Sequence, residues 1–169
     1  LLAQDSAHLS KGAIGELLAL AGIAGVIISF PNGMLADRFG RKISLIPGLL
    51  FLAAASYGLT LAEDYGTLLL VVILYGIGDG ITQSTAEVAA MDLAPAQGRG
   101  AFLGVWSVFR NVGGIYAPIL VGSLAAGFGM ESAFVVIAVL LIISSVMMTI
   151  WGLETLKRPA RVTKPVSST

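Results

Sequence analysis

Residues 33–42 read Gly-Met-Leu-Ala-Asp-Arg-Phe-Gly-Arg-Lys and place four charges between two long apolar runs. A short basic loop between segments of membrane length is typical of the cytoplasmic side of a membrane protein. Glycines around the charges allow the chain to turn sharply and two helices to pack closely. This stretch therefore predicts two membrane-spanning helices joined by a cytoplasmic loop.

The composition also indicates a membrane protein. The chain of 169 residues is 56% hydrophobic and 12% charged, whereas soluble domains are about 25% charged. It contains no cysteine, and its single histidine, His8, has no second His or Cys with which to form a metal site, so we expect no metal site and no cofactor. The formal net charge of zero says nothing about nucleic acid. The apolar composition predicts a lipid bilayer as the partner, and we expect no nucleic-acid partner.

Five segments reach the length of about 20 residues that a helix needs to cross a bilayer. They lie near residues 13–33, 43–61, 67–91, 100–126 and 132–152. Residues 1–156 would thus form the membrane domain, and residues 157–169 a basic cytoplasmic tail. The predicted fold class is all-α, a polytopic transmembrane helical bundle with five spans.

The basic residues are distributed very unequally between the two sides of the predicted membrane. Lys11 alone falls on one side, and eight basic residues fall on the other: Arg38, Arg41, Lys42, Arg99, Lys157, Arg158, Arg161 and Lys164. Because Lys and Arg concentrate in cytoplasmic loops, the N-terminus should lie outside and the C-terminus in the cytoplasm. We expect a multi-pass protein of the plasma (inner) membrane.

Part of the basic loop has a second copy 89 residues later. The residues that recur are Gly33, Leu35, Ala36, Phe39 and Gly40, as Gly122, Leu124, Ala125, Phe128 and Gly129. The two copies would leave the membrane on opposite faces, as expected for an inverted repeat of three helices. Chance is the alternative, since Gly, Leu and Ala are abundant and the charges do not recur. Under the repeat, a sixth helix would precede Leu1.

The third span carries the candidate cavity residues. Asp79, Gln83 and Glu87 follow an i, i+4, i+8 spacing and so share one helical face. A polar face inside a bilayer must contact protein or water. Arg110 lies at a similar depth in the fourth span, which predicts an Asp79–Arg110 pair that either couples substrate or protons or only holds the helices together. Asn111 could bind a ligand or bridge two helices, and the nearby Gly76 and Gly80 form a small-residue packing face.

The loop residues carry a family resemblance. The pattern is G-x-L-a-D-R-x-G-R-K, and the matching residues are Gly33, Leu35, Asp37, Arg38, Gly40, Arg41 and Lys42. This sequence resembles the signature loop of the major facilitator superfamily of transporters. The resemblance implies secondary active transport of a small-molecule substrate by alternating access, with protons as a candidate coupling ion.

The resemblance also implies a role for the loop charges. In the family, the aspartate equivalent to Asp37 latches the cytoplasmic gate against a helix of the opposite half. Arg41 and Arg99 lie on the same predicted face as Asp92 and Glu87, so a charge relay between the two cytoplasmic loops would complete the gate. The alternative is that the basic residues serve only to orient the chain.

The resemblance further suggests the C-terminal six-helix half of a twelve-helix transporter, with the remainder of the same transporter as a partner. No catalytic triad or paired-carboxylate pattern is present, so we predict no enzymatic activity. Because a fold does not dictate a function, a non-transporting receptor or assembly factor on the same fold remains the alternative.

Overall fold

The computed structural model describes residues 11–151, which form five α-helices. They are α1 Lys11–Phe39, α2 Arg41–Gly58, α3 Tyr65–Leu93, α4 Arg99–Phe128 and α5 Met130–Trp151. Each helix overlaps one of the five predicted segments, and the all-α helical bundle is confirmed. The predicted basic tail, residues 157–169, and the first ten residues lie outside the described part of the chain.

The predicted loop at residues 33–42 is almost entirely helical. α1 continues to Phe39 and α2 begins at Arg41, so Gly40 is the single residue between them. Its φ of 113° is accessible chiefly to glycine. The short loop that was predicted is thus shorter still, because the residues before Gly40 can all continue the helix and one glycine suffices for the turn.

The second copy of the repeat has the same local geometry. Gly129 is the single residue between α4 and α5, with φ 85°. The N–H groups of Gly40 and Gly129 donate to the carbonyl oxygens of Ala36 and Ala125, both at 3.0 Å. Gly129 and Ala125 each lie 89 positions after their counterparts, Gly40 and Ala36. The shared turn therefore supports the internal repeat over chance.

Contacts between the helices define the two ends of the bundle. At one end, which we term the basic end (residues 37–42 and 91–99), Arg41 pairs with Asp92, and the Nζ of Lys42 donates to the carbonyl oxygen of Thr149 at 2.5 Å. At the other end, Thr60 and Glu131 line one surface cavity. The helices therefore alternate in direction, as successive membrane spans must.

Four of the described helices, α1, α3, α4 and α5, are long and apolar enough to cross a membrane. The remaining helix, α2, has 18 residues and begins with two cations, Arg41 and Lys42, which reduce its hydropathy. α2 packs against α3 and α5. That it crosses the membrane stays a prediction that rests on this position.

α3 lies at the centre of the packing, with α1 on one side and α2 on the other. Gly76 and Gly80 face α1, where a Cβ at either position would overlap the backbone of Ala21 or Gly25. Gly78 faces α2, and a Cβ there would lie 2.8 Å from the backbone nitrogen of Leu52. The predicted small-residue face of α3 is thus confirmed, because only hydrogen atoms fit between these backbones.

The start of α3 is set by an N-cap. Asp64 accepts hydrogen bonds from the hydroxyl of Thr67 at 2.5 Å and from its backbone N–H at 3.0 Å. These bonds to the charged carboxylate hold the pKa of Asp64 below its ordinary value. The cap satisfies one of the free N–H groups of the first turn, and α3 therefore begins just after the short connection from α2.

Candidate functional site

The polar side chains of α3 are paired in two different ways. The side-chain amide of Gln83 donates to Asp79 at 2.7 Å, while Glu87 forms an ion pair with Arg110 of α4. The predicted Asp79–Arg110 pair is therefore wrong. An α-helix turns by about 100° per residue, so Asp79 and Glu87, eight residues apart, differ in direction by about 80°. That rotation aims Asp79 towards α1 and Glu87 towards α4.

Two grooves follow from this rotation. The α1–α3 groove has a volume of about 360 Å³, and its polar lining includes Ser29, Asp79 and Gln83. The α3–α4 groove has a volume of about 380 Å³ and contains the Glu87–Arg110 pair beside two aromatic side chains, Trp106 and Phe109. Gln83 lines both grooves. The structure therefore places four of the five predicted cavity residues, Asp79, Gln83, Glu87 and Arg110, along two grooves that share Gln83, and we term these four side chains the polar surface.

Asn111 is the predicted cavity residue that lies outside both grooves. It is exposed on α4, next in sequence to Arg110, and it lines neither of the two grooves. Adjacent residues on a helix point about 100° apart, which explains why Arg110 enters the α3–α4 groove and Asn111 does not.

Arg41 organises the basic end of the bundle. It is 7% exposed, and its guanidinium donates to Asp37 at 2.6 Å and to Asp92 at 3.1 Å. One side chain thus connects the end of α1, the start of α2 and the end of α3. One ion pair, Arg41–Asp92, joins the two predicted loops, and the second pair, Arg41–Asp37, lies within the first loop.

Arg99 takes a different part in this arrangement than predicted. Its guanidinium donates to the backbone carbonyl oxygen of Met91 at 3.3 Å. The carboxylate of Asp92 is instead bound by Arg41. Arg99 therefore closes the turn between α3 and α4, and the ionic bridge to α1 depends on Arg41.

The other loop residues have distinct positions. The guanidinium of Arg38 lies 5.5 Å from the ring centre of Phe39, and Leu35 is 48% exposed. A Cβ added to Gly33 would meet no atom within 4 Å, so the predicted close helix contact does not occur there. Among these glycines, Gly40 is the one whose backbone conformation requires glycine.

A buried network around Asn32 went unrecognised in the sequence. Asn32 is 6% exposed, and its amide nitrogen donates to the hydroxyls of Ser84 at 3.0 Å and Thr85 at 2.9 Å. Its amide oxygen accepts a hydrogen bond from Ser44. The network ties α1, α2 and α3 together. The available signal was an asparagine inside an apolar span, which is costly unless its polar atoms are paired.

We expect Asn32→Ala to destabilise the folded protein by about 1–3 kcal/mol, because Ser44 and Thr85 would lose their partner while remaining buried. Thermal unfolding of the purified protein in detergent measures this change. Asn111→Ala, at an exposed position, is the matched control and should unfold at nearly the wild-type temperature. Equal unfolding temperatures for the two variants would contradict a structural role for the network.

A bundle of five helices, four of them able to cross a membrane, with charged side chains paired between helices, is an integral multi-pass membrane protein. The family model of the Major Facilitator Superfamily matches residues 1–168. The chain therefore belongs to the major facilitator superfamily.

Individual relatives are similar at a lower level. The chain is 28% identical over 144 residues to the hexuronate transporter of Bacillus subtilis, covering 85% of this chain and 34% of that protein. It is 30% identical over 139 residues to multidrug resistance protein 1 of the same species, covering 79% of this chain and 36% of that protein. The arabinose-proton symporter of Bacillus subtilis is 30% identical over 103 residues, 61% of this chain and 22% of that protein. The chain spans about a third of the length of the first two relatives.

Proposed function

We propose that this protein is a secondary active transporter of small solutes that works by alternating access. The observation that carries the proposal is the polar surface formed by Asp79, Gln83, Glu87 and Arg110 on helices that can cross a membrane. The side chains of Arg110 and Glu87 are 50% and 36% exposed. Such groups are costly in lipid and usually mark a solute or ion pathway.

The rest of the pathway would come from the remainder of the same transporter. None of the 30 residues of α4 is buried, so one side of the polar surface is open in this part of the chain. We propose that the chain corresponds to the C-terminal half, that its basic end faces the cytoplasm, and that the other half completes the cavity. The basic side chains at that end support this orientation.

The Arg41 bridge would serve as the gate at the basic end. While Arg41 holds Asp37 and Asp92, the ends of α1 and α3 cannot separate without leaving charges unpaired. Alternating access requires an ordered closed state on each side of the site. We propose that the bridge stabilises the closed state on the cytoplasmic side.

The relatives suggest candidate solutes for a first measurement. They include proteins named as a hexuronate transporter, a multidrug resistance protein and an arabinose-proton symporter. The natural full-length protein would be reconstituted into proteoliposomes and tested with glucuronate, arabinose and ethidium. We propose that at least one of these small solutes is transported, with protons as a candidate coupling ion.

For any solute that moves, we expect Asp79→Asn to reduce the initial rate about tenfold or more, because it removes the charge that faces the α1–α3 groove. Glu63→Gln, at an exposed position between α2 and α3, is the matched carboxylate-to-amide control and should keep the wild-type rate. Unchanged flux in Asp79→Asn would show that this surface lies outside the pathway. A wild-type protein that moves no solute would instead favour a non-transporting membrane protein.

A further inference from the structure

Thr82 of α3 has a buried hydroxyl that is not hydrogen-bonded. Among the side chains that the structure describes, its Oγ1 is the buried oxygen or nitrogen atom without a hydrogen-bond partner. Thr82 lies eleven residues before the end of α3, about 16 Å along the helix axis. At this depth an unpaired polar atom is costly. The hydroxyl therefore destabilises the fold as it stands, which makes it a candidate for a functional role.

The hydroxyl faces α2, although Thr82 also borders the α3–α4 groove. A Cβ added to Gly48 of α2 would lie 2.7 Å from Oγ1 of Thr82 and 2.7 Å from Cγ2 of Ile81. Thr82 is at the same time one of the residues that line the α3–α4 groove. The side chain thus lies between a helix contact in which its hydroxyl is unpaired and a groove that can admit a solute.

The hydroxyl of Thr82 can leave this contact without losing a hydrogen bond. Threonine in an α-helix populates two χ1 rotamers, which differ by a rotation of about 120°. In a helix, a threonine hydroxyl can donate to a backbone carbonyl oxygen of the preceding turn. It then still has lone pairs that accept a further hydrogen bond. A solute that donates a hydrogen bond would stabilise the rotamer that faces the groove.

We propose that Thr82 binds a neutral, hydroxyl-bearing solute in the α3–α4 groove, where its own hydroxyl accepts a hydrogen bond from one hydroxyl of the solute. Thr82 thereby selects solutes that carry a hydroxyl at that position. This inference rests on the proposed transport function and adds a residue that determines its specificity.

The remaining lining of the groove fits such a solute. Trp106 and Phe109 provide apolar surfaces for the carbon body, and Gln83 provides an amide. Small-molecule sites commonly combine aromatic side chains with a few polar groups, and the volume of about 380 Å³ lies in their range. Glu87 and Arg110 form an ion pair with each other. A neutral solute is favoured because it leaves both charges with their partner.

The first test measures the stability of the natural full-length protein in detergent. Thr82→Val removes the hydroxyl, keeps the shape of the side chain, and should raise the unfolding temperature by about 2 °C. Thr85→Val is the matched control on the same helix. The hydroxyl of Thr85 accepts a hydrogen bond from Asn32 at 2.9 Å, so its loss should lower the unfolding temperature. A lower unfolding temperature for Thr82→Val would overturn the inference, since the hydroxyl would then be stabilising the fold.

The second test measures binding by the fluorescence of Trp106, obtained as the difference between the wild-type protein and Trp106→Phe. Arabinose should quench this fluorescence, and one of its monodeoxy analogues should bind about tenfold more weakly. Thr82→Val should bind arabinose about tenfold more weakly and should no longer distinguish that analogue from arabinose. Thr82→Ser retains a hydroxyl and should retain the distinction.

The outcomes separate this inference from the proposed function. Equal affinity of the wild-type protein and Thr82→Val for arabinose would overturn the inference. Transport of glucuronate or ethidium without any effect of arabinose on Trp106 would also overturn it and would leave the proposed function intact. Failure of glucuronate, arabinose and ethidium to move would count against the proposed function, and absent quenching by arabinose would then reject the Thr82 site as well.

Discussion

Gly76→Val should prevent the protein from reaching its folded state. At this position α1 and α3 are in backbone contact, and a Cβ would lie 2.8 Å from the Cα of Ala21 and closer still to its carbonyl oxygen. The obstacle is backbone, which cannot rotate aside, so the two helices would have to move apart along their whole interface. We expect a loss of at least about 3 kcal/mol. Size-exclusion chromatography of the detergent-solubilised protein should show little monodisperse material.

Gly15→Val is the matched control for this substitution. Gly15 lies on α1, and a Cβ there meets no atom within 4 Å. The same β-branched residue should therefore fold with nearly normal yield. If Gly76→Val gave as much monodisperse protein as Gly15→Val, the close approach of α1 and α3 would be refuted.

Arg41→Met should weaken both folding and transport. It removes the cation that bonds both Asp37 and Asp92 and leaves two carboxylates close together at the junction of three helices. Breaking a fully buried pair costs about 3–5 kcal/mol. Because the Asp37 side chain is 68% exposed and the Asp92 side chain 30% exposed, we expect about 2 kcal/mol here. Thermal unfolding measures the stability, and transport of any solute identified above should fall about tenfold.

The double variant Arg41→Met/Asp92→Asn separates the bridge from simple loss of packing. Removing the carboxylate that Arg41 neutralised should restore part of the lost stability, since interacting residues have non-additive effects. Arg38→Met removes an exposed arginine that contacts Phe39 and should change the unfolding temperature little. Additive losses in the double variant would argue against an ionic bridge.

The loop at residues 33–42 shows how far sequence reasoning reached. Its charges and glycines predicted a tight junction between two apolar helices, and Gly40 makes that junction. The length of the loop was overestimated, because hydropathy marks where apolar segments end and not where helical hydrogen bonding stops. Arg38 and Phe39 are as compatible with a helix as with a loop.

The polar face of α3 shows what could not be predicted from the sequence. The spacing of Asp79, Gln83 and Glu87 placed them on one side of the helix, which the Gln83–Asp79 hydrogen bond supports. Their partners could not be predicted from the spacing. Asp79 and Glu87 point about 80° apart, and which helix each one meets depends on which helices lie on either side of α3. Asn32 was missed for the same reason, as its partners lie 12 to 53 residues away in the chain.

The order of residues was enough to predict the five apolar helices, the family to which the chain belongs, and the concentration of charge around Gly40. These properties are local, because an apolar segment in lipid must satisfy its backbone hydrogen bonds internally and therefore forms a helix. The pairing of Arg110 with Glu87, and of Arg41 with two aspartates, could be known only from the packed helices. Those pairings depend on how the helices are rotated and how closely they approach, and that is set by the glycine contacts between α1, α2 and α3.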